Sequence, residues 1–168
     1  NMPAWQLHQE YPSTPEEAFI KSGNPYFDTD KLQQQETREP LLGILNKGDF
    51  VTFEELSGGH FRLFEYPEAL DTYVVGADVA EGLAHGDYSC AHVIRWRTRE
   101  VVAVWHGHIA PEKFAEVLVN IGLFYNTAIL GVAVNNHGLT TCKYLNDWYL
   151  YPSIFYVLTV AERTNKAT

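Results

Sequence analysis

A chain of 168 residues, 46% hydrophobic and 14% aromatic, is long enough for one globular domain that buries roughly 70% of the surface its unfolded form exposes. No apolar run approaches the roughly 18 residues that span a bilayer, and no basic-then-apolar leader opens the chain, so a soluble intracellular protein without a membrane partner is expected. The formal net charge of -9 argues against a module that grips nucleic-acid phosphate by bulk electrostatics, because such modules carry a basic face.

Along the chain, Thr14-Pro15-Glu16-Glu17 reads as a helix start, with Thr14 able to cap, Pro15 suited to the first turn and Glu17 placed to complete a capping box. Ser22-Gly23 ends that helix. Asp30 to Glu39 is polar and glutamine-rich with Pro40 behind it, which predicts an exposed helix, and residues 1–48 read as an approach segment rather than core. Phe50 to Leu56 and Phe61 to Tyr66 alternate apolar and polar around Ser57-Gly58-Gly59, the pattern of a hairpin that opens a domain over 49–168.

From Thr72 three strands are predicted in succession, near 72–79, 88–96 and 100–108; their short turns make them antiparallel neighbours. Pro111 then starts a helix on which Phe114, Val117, Leu118, Ile121, Phe124 and Tyr125 form one apolar face. Its length suits a crossover, so the strand over 128–134 is expected to run parallel to the first. A helix from about Leu139 and a strand near 153–159 complete the order. Three antiparallel strands, helix, strand, helix, strand is the order of a ribonuclease H-like α/β fold, a mixed sheet flanked by helices, preceded here by a linker segment and a β-hairpin.

The stretch Tyr73 to Gly82 is an apolar, β-branched strand that ends in a carboxylate, Asp78, with a glycine-bearing turn behind it and Gly86-Asp87-Tyr88-Ser89 opening the next strand. An ionised carboxylate at the end of a buried strand carries a desolvation cost unless a cation or several donors compensate it. Two roles fit: a ligand for a cation, or an acceptor for the backbone amides of the Val79 to Gly82 turn. If the strands over 72–79 and 128–134 are parallel neighbours, their C-terminal ends lie side by side, and an acid at Asp78 shares a pocket with one near Ala133.

Arg95, Arg97 and Arg99 alternate, so on a strand they project to one side, most simply as a solvated face. His106 and His108 share a strand face at the spacing of a transition-metal pair, but no third ligand is in view. Asn135, Asn136 and His137 precede a predicted helix, with capping the expected role of Asn136. Cys90 and Cys142 have neither metal-ligand spacing nor a disulfide pattern and read as buried thiols.

Three separated segments, in order, resemble the C-terminal nuclease domain of the large subunit of tailed-bacteriophage terminase, the motor that packages and cuts viral DNA. Gln9 to Phe19 is similar to the segment that joins the family's ATPase to its nuclease. Gly76 to Gly82 with Gly86 to Ser89 looks like the strand-turn-strand carrying the first metal-binding aspartate, and Gly131 to Gly138 like the strand end carrying the second acid. The resemblance implies an endonuclease that uses two Mg²⁺ or Mn²⁺ ions to hydrolyse phosphodiesters of concatemeric phage DNA. Such ions prefer carboxylate oxygens, activate water and stabilise the leaving oxygen. Asp78 is then a metal ligand, and Asp87 a supporting acid that holds water on the ions or orients neighbours; Glu81 in the turn fits equally a residue that reaches the same site and a solvated turn residue. The partners implied are double-stranded DNA and, in the full motor, the ATPase domain, the small terminase subunit and the portal, all in the host cytoplasm.

Two departures from the family matter. Ala133 stands where the family carries an acid, usually glutamate, and a methyl group coordinates nothing. The flanking match, Val132 and Val134 to Gly138, favours deliberate inactivation over natural loss. A third acidic ligand of the family lies on a helix beyond Thr168, so the chain is expected to be inactive and truncated at its C-terminus. The alternative function is a noncatalytic docking or DNA-guiding module of the packaging motor. A nucleotide-binding domain fits poorly: no Gly-x-x-x-x-Gly-Lys-Ser/Thr loop is present, and the Gly76 to Gly86 stretch does not lead into a helix.

Overall fold

The structure, a computed structural model, describes residues 38–134 and 137–155. All the elements described belong to one compact unit, Glu39–Thr168. Seven strands, β1 (Leu41–Lys47), β2 (Val51–Glu55), β3 (Phe61–Leu63), β4 (Tyr73–Asp78), β5 (Ser89–Arg95), β6 (Val101–Gly107) and β7 (Ile129–Val132), form one mixed sheet in the order β2-β1-β3-β6-β5-β4-β7. Helix α1 (Pro111–Phe124) connects β6 to β7, and α2 (Gly138–Lys143) runs on into a π-helical turn, Tyr144–Trp148. The helix start at Thr14 and all but the last two residues of the helix expected over 30–39 lie outside the described residues.

From β4 to α2 the order of elements is the one expected from the sequence. β4, β5 and β6 pair antiparallel through short turns, and β7 returns beside β4 in parallel, Val74 opposite Ile129 through Ala77 opposite Val132. Alternation decides which side is core. Tyr73, Val75 and Ala77, Ala91 and Val93, Phe61 and Leu63 are buried and, with Phe114, Leu118 and Ile121 of α1, form one apolar cluster. Each of the buried Val, Leu, Ile and Phe side chains among them contributes about 1.5–3 kcal/mol over its exposed state. The alternate residues, Gly76 and Asp78, His92, and Arg62, face outward and are exposed.

The end of the crossover is fixed by two phenols. The Tyr125 hydroxyl donates to the Glu65 carbonyl at 2.7 Å, and the Tyr151 hydroxyl donates to the Ala128 carbonyl at 2.7 Å. Burial pushes both pKa values far above the ordinary phenol range, so each stays a donor at any physiological pH. Tyr151 lies against Gly122, where any Cβ would run into its ring. Leu130 of β7 also bridges Ile154 in parallel, within the span of the strand expected over 153–159; residues past Phe155 lie outside the described residues.

The N-terminal edge differs from expectation. The segments 50–56 and 61–66 do not pair with each other. β2 pairs with β1, and β3 pairs with the other edge of β1. Leu41–Lys47, expected within the approach segment, is therefore a strand inside the sheet. The reason is that Leu41-Leu42-Gly43-Ile44-Leu45 is itself an apolar, strand-forming run that offers two edges. Ser57-Gly58-Gly59 is still a turn, with Gly58 at φ +82°, but it carries the chain across β1 at Gly43, where Gly59 meets the backbone too closely for a side chain.

Candidate active site

Asp78 sits where the tightly packed part of β4 ends, and the register that pairs Ala77 with Val132 makes Ala133 its neighbour on β7. The Ala133 amide donates to the Ala77 carbonyl at 2.8 Å, so pairing continues to the last residue before the strands part. Paired strands lie about 4.8 Å apart, and both side chains are exposed. One carboxylate oxygen of Asp78 accepts the Val79 amide at 3.0 Å. The turn-capping role and an outward-facing carboxylate therefore coexist at one residue. Behind Asp78 the Ala80 amide donates to the buried Ser89 hydroxyl at 3.0 Å. Gly82, at φ +85°, presses against the Ile109 carbonyl, where a Cβ would collide. This turn is thus held between β5 and the entry to α1.

Asp78, Val79, Ala80, Glu81, Gly86, Asp87, Tyr88 and His137 line one open depression. The three acids that the sequence places around this turn, Asp78, Glu81 and Asp87, all line that depression without converging on one point. Ala133 lines a different, apolar cavity with Gly76, Gly131, Leu139, Cys142 and Phe155, so the one pocket expected for Asp78 and position 133 is two openings. The donors fit a hard divalent cation in kind, being carboxylates. They do not fit in number: among the described residues no three His, Cys, Asp or Glu side chains are grouped to hold a metal ion.

Tyr88 is a residue of the depression that the sequence pattern does not mark. Its ring stacks on His106 with centroids 4.3 Å apart and meets His108 at 3.8 Å. The alternate histidines are thus packed under a tyrosine at the rim of the depression rather than arranged as a metal pair. The visible signal is Asp87-Tyr88 at a strand start, facing two alternating histidines on the next strand. His137 precedes α2 without making a side-chain cap and instead lines the depression; Asn135 and Asn136 lie outside the described residues.

The arginine row also dissolves. β5 ends at Arg95, and the Arg99 amide donates back to the Arg95 carbonyl at 2.9 Å, closing a turn with Arg99 at φ +65°. Arg95 points into the protein and meets Glu65 at 2.8 Å, Glu68 at 3.1 Å and Asp71 at 3.2 Å. The Asp71 approach is an ionic contact without hydrogen-bond geometry. Arg97 lies 3.8 Å from Asp71, and Arg99 stacks 3.6 Å above the Trp96 ring. Cys90 and Cys142 are free and half-buried rather than fully buried, and desolvation raises both thiol pKa values.

The fold is that of known nucleases. The large terminase nuclease from thermophilic phage G20c with bound magnesium aligns with a TM-score of 0.51 at 14% identity, covering 75% of this chain and 60% of that one. The same nuclease with bound cobalt aligns at 0.50 with 14% identity and the same coverage. The chain therefore spans about 60% of the length of these structures. Its sheet is a ribonuclease H-like mixed sheet, as in those domains. No protein-family model matches the sequence, and no curated protein matches it. No helix among the described residues is long and apolar enough to cross a membrane.

Proposed function

We propose that this chain is the nuclease domain of a DNA-packaging terminase large subunit, in a form that lacks one of its metal-binding acids. The observation that carries this reading is the placement of Asp78 and Ala133 side by side at the C-terminal ends of parallel β4 and β7. Two carboxylates there would hold Mg²⁺ or Mn²⁺, which when bound supplies the activated water of phosphodiester hydrolysis. Asp78 is the intact ligand, Asp87 the supporting acid across the depression, and the residues ahead of β1 the link to an ATPase half. Double-stranded DNA, the small terminase subunit and the portal are the partners of such a domain, and the host cytoplasm its place of action. Ala133 and the net charge of -9 favour a second reading, a noncatalytic module that guides DNA in the motor. Cleavage of plasmid DNA after an acid is restored at position 133 separates the two.

A first expected result tests the site itself. Calorimetric titration with Mn²⁺ gives weak binding, with a dissociation constant on the order of 10⁻³ M, because few carboxylates hold an ion that keeps most of its waters. Asp78→Ala removes that binding and Asp87→Asn weakens it. Tight binding that survives Asp78→Ala would place the metal elsewhere.

A further inference from the structure

The face of the sheet opposite α1 carries two rows of outward residues that cross the strands. One runs from Asp78 to Cys90 to His106, and the other from Gly131 through Gly76, His92 and Val104 to Arg62. The second row crosses five strands, so it spans roughly 19 Å at ordinary strand spacing. Its outward neighbours are Asp78, Cys90 and His106 on one side and Val74 and Ile94 on the other. Among the described residues Arg62 makes no ion pair, whereas Arg95 and Arg97 are neutralised by carboxylates and Arg99 lies over an indole.

Among the described residues the acids on the strands of this face are Asp78 and, beyond β1 at the far edge, Glu54, which accepts from the Asn46 amide. In a chain of net charge -9 this leaves Arg62 as an exposed cation without a carboxylate partner on the face that carries the candidate site. Gly76 adds a second feature. It is exposed in a strand interior with negative φ, and a Cβ there would meet open space. Packing does not demand glycine, which weakens a strand, but close approach of a ligand does.

We propose that the row Gly76, His92 and Arg62 seats the DNA backbone, with Arg62 holding a phosphate and the bare strand at Gly76 letting the duplex come down onto Asp78. This rests on the nuclease reading above and adds where its substrate lies. At roughly 3.4 Å of rise per nucleotide, several phosphates of one strand fit along the row. Positive charge placed on one face of an otherwise acidic domain supplies position rather than bulk affinity.

The experiment is binding of a fluorescein-labelled DNA duplex in Ca²⁺, read by anisotropy over a series of salt concentrations, with the unaltered chain, Arg62→Ala, Arg62→Lys, Gly76→Leu and the charge-matched control Arg97→Ala. Arg62→Ala is expected to weaken binding roughly five- to tenfold and to lower the salt slope by about one, as loss of one phosphate contact does. Arg62→Lys recovers most of the affinity. Gly76→Leu melts at or above the temperature of the unaltered chain yet binds at least about tenfold more weakly. Arg97→Ala stays within twofold. If the unaltered chain binds and Arg62→Ala and Arg97→Ala lose equally, or Gly76→Leu binds normally, the seat is elsewhere and the nuclease reading stands. If the unaltered chain shows no binding, the DNA reading falls with the proposal.

Discussion

Ala133→Glu, carried in a parent protein that continues past Thr168, is expected to turn a chain that leaves plasmid DNA intact in Mn²⁺ into one that cuts it, with a gain of at least about 100-fold in cleavage rate. The size follows from geometry. Misplacement of catalytic groups by about 1 Å can cost on the order of 100-fold, and removing a ligand outright leaves the cation unlocated rather than displaced. The new carboxylate would start from the residue beside Asp78, one strand spacing away, on a β7 whose pairing to β4 is intact through the Ala133 amide. Chelation should stop the reaction, and Asp78→Asn in the same background should abolish it. A restored protein that folds, binds Mn²⁺ and leaves DNA intact would favour the noncatalytic module. Cutting that is indifferent to Asp78→Asn would place the chemistry at other residues.

Position 133 stands out because the elements around it are legible in the sequence. Strand β4 is an apolar run between clear turn signals, and α1 shows both Pro111 at its start and an apolar face at helical spacing. Their lengths leave little choice but a parallel return of β7. What is not legible is set by partners distant in the chain. Leu41–Lys47 has the composition of a strand, but nothing local says that it will be paired on both sides, so local pattern alone matches the neighbouring segments with each other. Tyr88 reads as an ordinary strand residue; only the pairing of β5 with β6 brings His106 and His108 beneath it.

The arginine row fails for a related reason. Alternation over 95–99 predicts one strand face only if the strand continues, and it stops at Arg95 because the chain turns there. Direction then reverses the meaning of the residue: Arg95 belongs to the inward set with Tyr73, which it pairs in register. The acids that neutralise it, Glu65, Glu68 and Asp71, come from the connection between β3 and β4. In the sequence this segment reads as a polar loop.

Arg95→Ala is expected to cost about 3 kcal/mol of stability, because it leaves the largely buried Asp71 and Glu65 carboxylates without their cation, while water screens the half-exposed Glu68. The Arg95 side chain is 8% exposed and that of Asp71 15%, whereas Arg97 on the same aspartate is 67% exposed. Solvent screening makes the exposed contact worth no more than about 1 kcal/mol, so Arg97→Ala serves as the matched control. In thermal melts the buried substitution should lower the midpoint by roughly 10–20 °C, and the control by a few degrees at most. Asp71→Asn added to Arg95→Ala should recover part of the loss, since it removes one of the stranded charges. Similar small shifts for Arg95→Ala and Arg97→Ala would mean that water reaches the cluster and that it clamps nothing. The clamp matters for the site at a distance. Arg95 and Tyr73 form the first cross-strand pair of β4 with β5, and Asp78 with Cys90 the last. Because strand register moves in whole residues and each step inverts every side chain, loosening the Arg95 end threatens the outward placement of Asp78 at the other. A destabilised variant should therefore lose metal binding in proportion to its unfolded fraction, while Asp78→Ala loses it with the fold intact.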